Sequence, residues 1–360
     1  MKKITLLILA FLSFCVSSYL TVHEEKKEGL ILKPKASLSA YGFFKGDLKE
    51  LNPAEGMLPY SLNTPLFSDY ALKARFIKLP DGTGANYDAK EVFEFPKGTV
   101  LIKNFYYFND FRKPEKGKNI LETRLLIHEE SGWKAYPYIW NEDQTDAFLE
   151  VAGGSKEISW KDSDGKKQKL NYLIPNMNQC KGCHIVGKEI KPIGPTARQL
   201  NGDFEYKHGT KNQLIHWQET GYLKNLPETE AIPRIFAWND PHAGTLEQRA
   251  RGWLDINCGH CHRPEGPANT SGLFLDYHTK DPFQLGIFKT PVAAGRGSGG
   301  HNYAIEPGNP DKSILVYRMA STDPGEMMPE LGRTLVHEEG LALVKEWIQS
   351  LEAKDFEVKE

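Results

Sequence analysis

The chain has 360 residues, enough for two or three domains, and its 40% hydrophobic and 26% charged residues are typical of a folded globular protein. Its formal net charge of −2 excludes the strongly basic surface that nucleic-acid binding requires, so we expect no nucleic-acid partner. The same charge balance argues against electrostatic binding to a membrane surface, which leaves the N-terminus as the place of any membrane attachment.

The first 22 residues have the layout of a secretory signal. Two lysines follow the initiating methionine, and residues 4–22 are almost wholly apolar or small. Three outcomes stay open: cleavage near residues 16–18, lipid attachment at Cys15, and retention of 4–22 as an anchor, because this stretch is long enough to span a bilayer. We therefore predict an exported protein, in the periplasm or as a cell-envelope lipoprotein of a bacterium.

The sequence after the signal predicts a linker followed by strands. Residues 23–50, which are rich in charges and contain one Pro and three Gly, are predicted to be a linker. Over 51–175, alternating, β-branched and aromatic stretches predict strands, and the turn sequences at 129–132 and 162–165 predict two hairpins. The expected fold of this part is a β-rich domain of sandwich or barrel-like form.

The chain beyond residue 175 predicts helices and long loops. A capping-box pattern at Thr245 predicts a helix that ends near residue 257. Residues 312–320 and 338–351 predict two more helices, the last with a continuous apolar face. The expected fold class is therefore α+β and multidomain, with the β-rich domain followed by mainly α-helical regions.

The spacing of the cysteines indicates which cofactor the protein binds. Four of the five form two Cys-x-x-Cys pairs, and a histidine follows each pair directly, at 180–184 and 258–262. This pattern is the signature of c-type haem attachment, in which two thiols bond to the vinyl groups of one porphyrin edge and the histidine ligates the iron. We predict two covalently bound haem c groups, one in the region 176–240 and one in 241–355. The predicted thioether and iron ligands are Cys180, Cys183, His184, Cys258, Cys261 and His262.

Two other uses of paired cysteines fit less well. A four-cysteine zinc ribbon has pairs 15–20 residues apart, whereas Cys183 and Cys258 are separated by 75 positions. A thioredoxin-like oxidoreductase needs a βαβ pattern around its pair, and neither pair lies in one. Neither alternative explains the histidine after each pair.

The layout resembles two groups of cytochromes. The region 241–355 resembles small single-haem cytochrome c domains, which use a Met on the loop before the last helix as distal ligand. The whole chain after about residue 40 resembles a family of exported bacterial dihaem c-type cytochromes with an N-terminal β-rich region. The residues that carry this second resemblance are 65–70, 138–141, 178–184, 257–262, 307–310 and Ser313.

These resemblances imply distal ligands for one haem only. Met328, which precedes a proline, matches the Met-Pro pattern of the small cytochromes better than Met327 and is the expected ligand of the second haem. The distal ligand of the first haem stays open. Its candidates are His208, His216, Met177, Met319 or an open position.

The family resemblance implies haem binding and electron transfer, and no substrate. We expect an electron carrier that exchanges electrons with a redox protein partner, rather than a catalyst. Two alternatives stay open. One is a dihaem peroxidase whose first haem has an open distal position. The other is a binding module in which the β-rich domain recognises a polymer or a partner and the cytochrome part is its redox attachment.

Overall fold

An antiparallel sheet of six strands organises the first half of residues 33–356, the part of the chain that the computed structural model describes. The predictions for the first 22 residues, Cys15 included, lie outside this part. The strand order in the sheet is β1-β2-β4-β5-β6-β7. The strands are β1 Met57–Tyr60, β2 Leu72–Lys78, β3 Ala85–Asn86, β4 Val100–Phe108, β5 Lys118–Glu129, β6 Gly132–Trp140, β7 Ala147–Leu149, β8 Gly154–Lys161, β9 Lys167–Ile174, β10 Ile185–Val186, β11 Glu189–Ile190, β12 Asp203–Tyr206, β13 Gly209–Asn212 and β14 Leu223–Lys224.

Both predicted hairpins are confirmed. Strands β5 and β6 pair antiparallel up to the turn at 129–132, and β8 and β9 pair across 162–165. The six-stranded sheet is open, with β1 and β7 at its edges, so it does not close into a barrel.

Alternation along the strands gives the sheet two buried faces. Phe76 and Ile102 point to one face, where residues 38–48 of the predicted linker, together with Leu51, pack over them. Ile77 and Leu101 point to the other face and pack against residues from 197 to 256. The second half of the chain therefore covers one face of the sheet.

The helices are short. They are α1 Met177–His184, α2 Ala197–Leu200, α3 Gln213–Glu219, α4 Leu246–Leu254, α5 Ile314–Ala320 and α6 Glu338–Ser350. The capping box of α4 is confirmed, because the Thr245 and Gln248 side chains each accept a hydrogen bond from the other's backbone N–H. The helix predicted over 312–320 begins later, at Ile314, after a 3₁₀ turn.

The predicted fold class is wrong in its second half. The structure is 24% helical and 27% strand, and no mainly α-helical, cytochrome c-like domain is present among the described residues. Loops rich in Pro and Gly, such as 263–272, 291–300 and 324–332, separate the helices, because Pro lacks the N–H of a helix interior and Gly weakens one. All of the described residues, 33–356, lie within one compact unit.

Candidate functional site

The two Cys-x-x-Cys-His motifs begin on different local structures. The first lies on α1, which starts directly after β9 with a capping box between Asn176 and Gln179. The second begins in a π-helical turn, Asp255–Gly259, that continues α4. A side chain at Gly259 would place its Cβ 2.9 Å from the Cα of Asp276, so only glycine permits this close backbone approach.

Folding brings the two motifs side by side. The ligand atoms of Cys183, His260 and Cys261 all lie within 4.8 Å of one another. The thiol of Cys261 also points to the carbonyl of Gly182 at 3.7 Å. Residues about 75 positions apart in the sequence thus form a single cluster of two thiols and one imidazole.

His184 has the protonation state of a metal ligand. Its Nδ1 lies 2.8 Å from the Lys191 carbonyl oxygen and must donate the proton, because a carbonyl only accepts. The lone pair therefore resides on Nε2. Burial lowers the pKa of His184 to about 4, which keeps the imidazole neutral near pH 7. A carbonyl that fixes the tautomer in this way is a common support of metal-ligating histidines.

His262 is equally neutral but less firmly held. Burial lowers its pKa to about 4, opposed by the backbone of Leu273. Its Nδ1 is buried and makes no hydrogen bond of ordinary geometry to any residue in the described range 33–356. No hydrogen bond of ordinary geometry to the described residues therefore orients the imidazole of His262, in contrast to that of His184.

A cavity of about 540 Å³ lies beside the second motif. Its wall includes Cys258, Cys261, His262 and Met328, but not Met327. The volume falls within the roughly 300–1,000 Å³ of small-molecule and cofactor sites. Thiols, a neutral imidazole and a thioether around a cavity of this size fit a covalently bound haem.

A smaller cavity of about 140 Å³ lies beside the first motif, between that motif and the sheet. Its wall includes Cys180, Cys183 and His184, so its donors fit a haem as well. Its volume is below the range of cofactor sites, so its walls must move apart to admit a porphyrin. The two cavities meet at a common wall that contains Met319 and Met328.

Of the four distal candidates for the first haem, only Met319 lines a cavity at the motif. His208 is exposed on the β12–β13 hairpin. His216 packs on the ring of Tyr206 at a centroid distance of 3.8 Å, and Met177 packs against the core on the far face of the sheet.

Sequence reasoning missed His337, which lines the first cavity. Trp253 donates its indole N–H to Nδ1 of His337 at 3.0 Å, and the imidazole stacks on Phe67 at 4.3 Å. Because that bond uses the Nδ1 lone pair, Nε2 carries the proton in the neutral ring and has no lone pair for iron. No local pattern marks this residue, since its partners are distant in sequence.

The loop that carries Met328 is held by two buried charges. The guanidinium of Arg333 donates hydrogen bonds to five backbone carbonyls around the loop. These carbonyls belong to Arg318, Met319, Ser321, Met328 and Leu335. Asp69 accepts hydrogen bonds from the backbone N–H groups of Thr334 and Leu335, at 2.7 and 2.8 Å.

The segment 65–70 thereby connects the sheet to both parts of the second site. Besides the bonds of Asp69, the backbone N–H of Phe67 donates to Oδ1 of Asn257, one residue before Cys258, at 2.8 Å. One short segment thus holds the Met328 loop and the start of the second motif.

Comparisons with known proteins find no relative of this chain: no family model, no curated protein and no solved structure matches it. The resemblance to exported dihaem cytochromes therefore stays a prediction. Within residues 33–356, no helix is long and apolar enough to cross a membrane.

Proposed function

We propose that this protein is an exported dihaem c-type cytochrome that transfers electrons between two adjacent haems and a redox protein partner. The observation that supports it best is that the two Cys-x-x-Cys-His motifs approach each other at Cys183 and Cys261, with a cavity beside each motif. The export and the cell-envelope location rest on the N-terminal sequence, and the partner on the family resemblance.

Each residue has a definite part in this proposal. Cys180 and Cys183 would form the thioethers of one haem, with His184 as the iron ligand. Cys258 and Cys261 would do so for the other, with His262 and Met328 as ligands. A bound haem supplies a reversible one-electron couple. The Lys191 carbonyl orients His184, and Arg333 holds the backbone of Met328 in place.

The adjacency of the motifs supports transfer within one molecule. Because Cys183 and Cys261 lie in one cluster, groups attached there would have neighbouring edges. The surrounding wall is mostly apolar and contains Leu331 and the two methionines, so it would lower the polarity around groups attached there.

The test is expression of the full chain in a bacterium that matures c-type cytochromes. We expect intact-mass spectra to show two added haems and the reduced absorption spectrum to be that of haem c. A protein without covalent haem would contradict the proposal.

One specific observation favours a different occupant. Cys183, His260 and Cys261 are ligand types that zinc prefers, and their ligand atoms are close enough to hold one ion. That site would leave Cys180, His184, Cys258 and His262 without a role, so we rank it second. Metal analysis of the purified chain decides: zinc in a one-to-one ratio without haem would support the zinc site.

A peroxidase remains the enzymatic alternative, because His337, which lines the first cavity, has no free Nε2 lone pair with which to serve as the distal ligand. Ferric EPR spectra distinguish the electron carrier from the peroxidase. Two low-spin haems would support electron transfer alone, and a high-spin first haem that binds cyanide would support the enzyme.

A further inference from the structure

Three cationic side chains lie in one row across the middle of the sheet. Arg75 on β2 lies directly opposite Lys103 on β4, and Lys103 lies directly opposite Arg124 on β5. Directly opposed side chains in neighbouring strands are about 5 Å apart at their Cβ atoms, and like charges there destabilise the sheet. A row of three positive charges therefore costs stability unless an anion offsets it.

Only one of the three has an acidic partner. Arg124 binds the carboxylate of Glu122 through two N–H···O bonds of 2.8 and 2.5 Å. Among the described residues, neither Arg75 nor Lys103 forms a salt bridge. The row thus holds two uncompensated charges.

Arg75 is buried and poorly satisfied, and Lys103 beside it is half-buried. Arg75 is 7% exposed, and its Nη2 is buried with no hydrogen-bond partner among the described residues. Lys103 lies over the ring of Phe105 at 4.7 Å. Burial, and next the charge of Arg75, lower the pKa of Lys103 well below its usual value. An anion at this position would satisfy the orphaned donor and stabilise both charged forms.

The row faces the first motif. All three cations line the 140 Å³ cavity together with Cys180 and His184. The space between them and the thiols is the space that the first haem would enter. A haem carries two propionate carboxylates, and the row has two uncompensated positive charges, so the charges match.

We propose that the row of Arg75, Lys103 and Arg124 is a carboxylate-binding site in the first cavity. The carboxylate can come from two sources. The first is the propionates of the haem at Cys180 and Cys183, and for this source the inference rests on the proposed function. The other source is a free small carboxylate that enters the cavity. The charge count favours the propionates. Whichever source supplies the carboxylate, the sheet forms one wall of the first site.

The test compares the wild-type chain with an Arg75→Gln/Lys103→Gln double variant and with Lys78→Gln, a matched control on β2 outside the cavity wall. With propionates in the row, loss of two positive charges lowers the reduction potential of the first haem and leaves that of the second unchanged. The control leaves both unchanged. Two haems per chain and an unchanged second haem spectrum show that the variant is folded.

Calorimetry with succinate distinguishes the sources. If a free carboxylate occupies the row, the wild type binds succinate and the double variant loses this binding at least tenfold. If propionates occupy it, the wild type does not bind succinate and only the potential shifts. Unchanged potentials together with no succinate binding by the wild type would overturn the site. If the wild type carries no haem, the proposed function fails, and the succinate titration alone then decides the carboxylate site.

Discussion

The two motifs share one pattern and have different surroundings. The first lies on a short helix against a sheet that presents a row of three cationic side chains, and its cavity is about 140 Å³. The second follows a longer helix and opens on a largely apolar cavity of about 540 Å³. His184 is fixed by a carbonyl, whereas Nδ1 of His262 makes no hydrogen bond of ordinary geometry to the described residues.

This difference shows that one fold can place two identical Cys-x-x-Cys-His motifs in two different electrostatic environments. At the first site, unpaired cations would favour the reduced or anionic form of a bound group. At the second, a methionine thioether would raise the potential of a bound haem. The predictions below test how far the two sites differ.

The largest effect on stability and haem content is expected from removing the cysteine pairs one at a time. In the Cys258→Ala/Cys261→Ala variant, loss of the group from the 540 Å³ cavity leaves empty space, whose cost rises with its volume, so we expect no stable folded protein. The Cys180→Ala/Cys183→Ala variant should fold and retain one haem. Haem content and thermal unfolding of the two variants are measured side by side. Equal stability of both variants would remove the distinction between the cavities.

The Met328 loop should depend on Arg333. Replacing Arg333 by Gln leaves buried carbonyls unpaired, and we expect a loss of about 2–4 kcal/mol in the free energy of unfolding. Chemical denaturation gives this value. The control is Arg296→Gln, whose exposed ion pair with Asp323 should contribute less than about 1 kcal/mol. Equal losses in both variants would show that Arg333 does not support the loop.

A pH-dependent effect is expected at the first cavity. Burial lowers the pKa of His337 to about 4, below the roughly 6.5 of an unfolded chain. Above pH 6.5 both states are neutral. As the pH falls from 6.5 to 4, only the unfolded state takes up the proton, so stability declines by up to about 3 kcal/mol.

The His337→Gln variant tests this origin. Glutamine can still accept the Trp253 N–H, but it does not titrate, so the decline between pH 6.5 and 4 should shrink by the contribution of His337. Denaturation curves at several pH values measure it. His208→Gln, at an exposed position, should retain the wild-type profile. If His337→Gln retains that profile as well, the assignment is wrong.

The smallest change in stability is expected at the common wall of the two cavities. Met328→Leu and Met319→Leu conserve volume and should each cost less than about 1.5 kcal/mol. Their spectra should differ. We expect Met328→Leu to abolish the near-infrared methionine-to-iron band of the second haem and Met319→Leu to retain it. The opposite result would make Met319 the ligand.

Local patterns in the sequence determined the elements whose partners are close in the chain. The capping box of Thr245, the two hairpins and the final helix follow from hydrogen bonds and side-chain contacts within a few residues. The two Cys-x-x-Cys-His motifs are local in the same sense, because the haem attachment that they predict needs only two thiols and an imidazole at short spacing. The loop-rich second half was misjudged because short apolar periods suggested more helix than its Pro and Gly permit.

Only the tertiary structure decided how these pieces form sites. The row of Arg75, Lys103 and Arg124 exists because strand pairing sets three distant positions in register, and alternation turns them to one face. The motifs meet because one face of the sheet is covered by the second half of the chain. Such contacts depend on the packing of surfaces far apart in sequence, which no short window of residues contains.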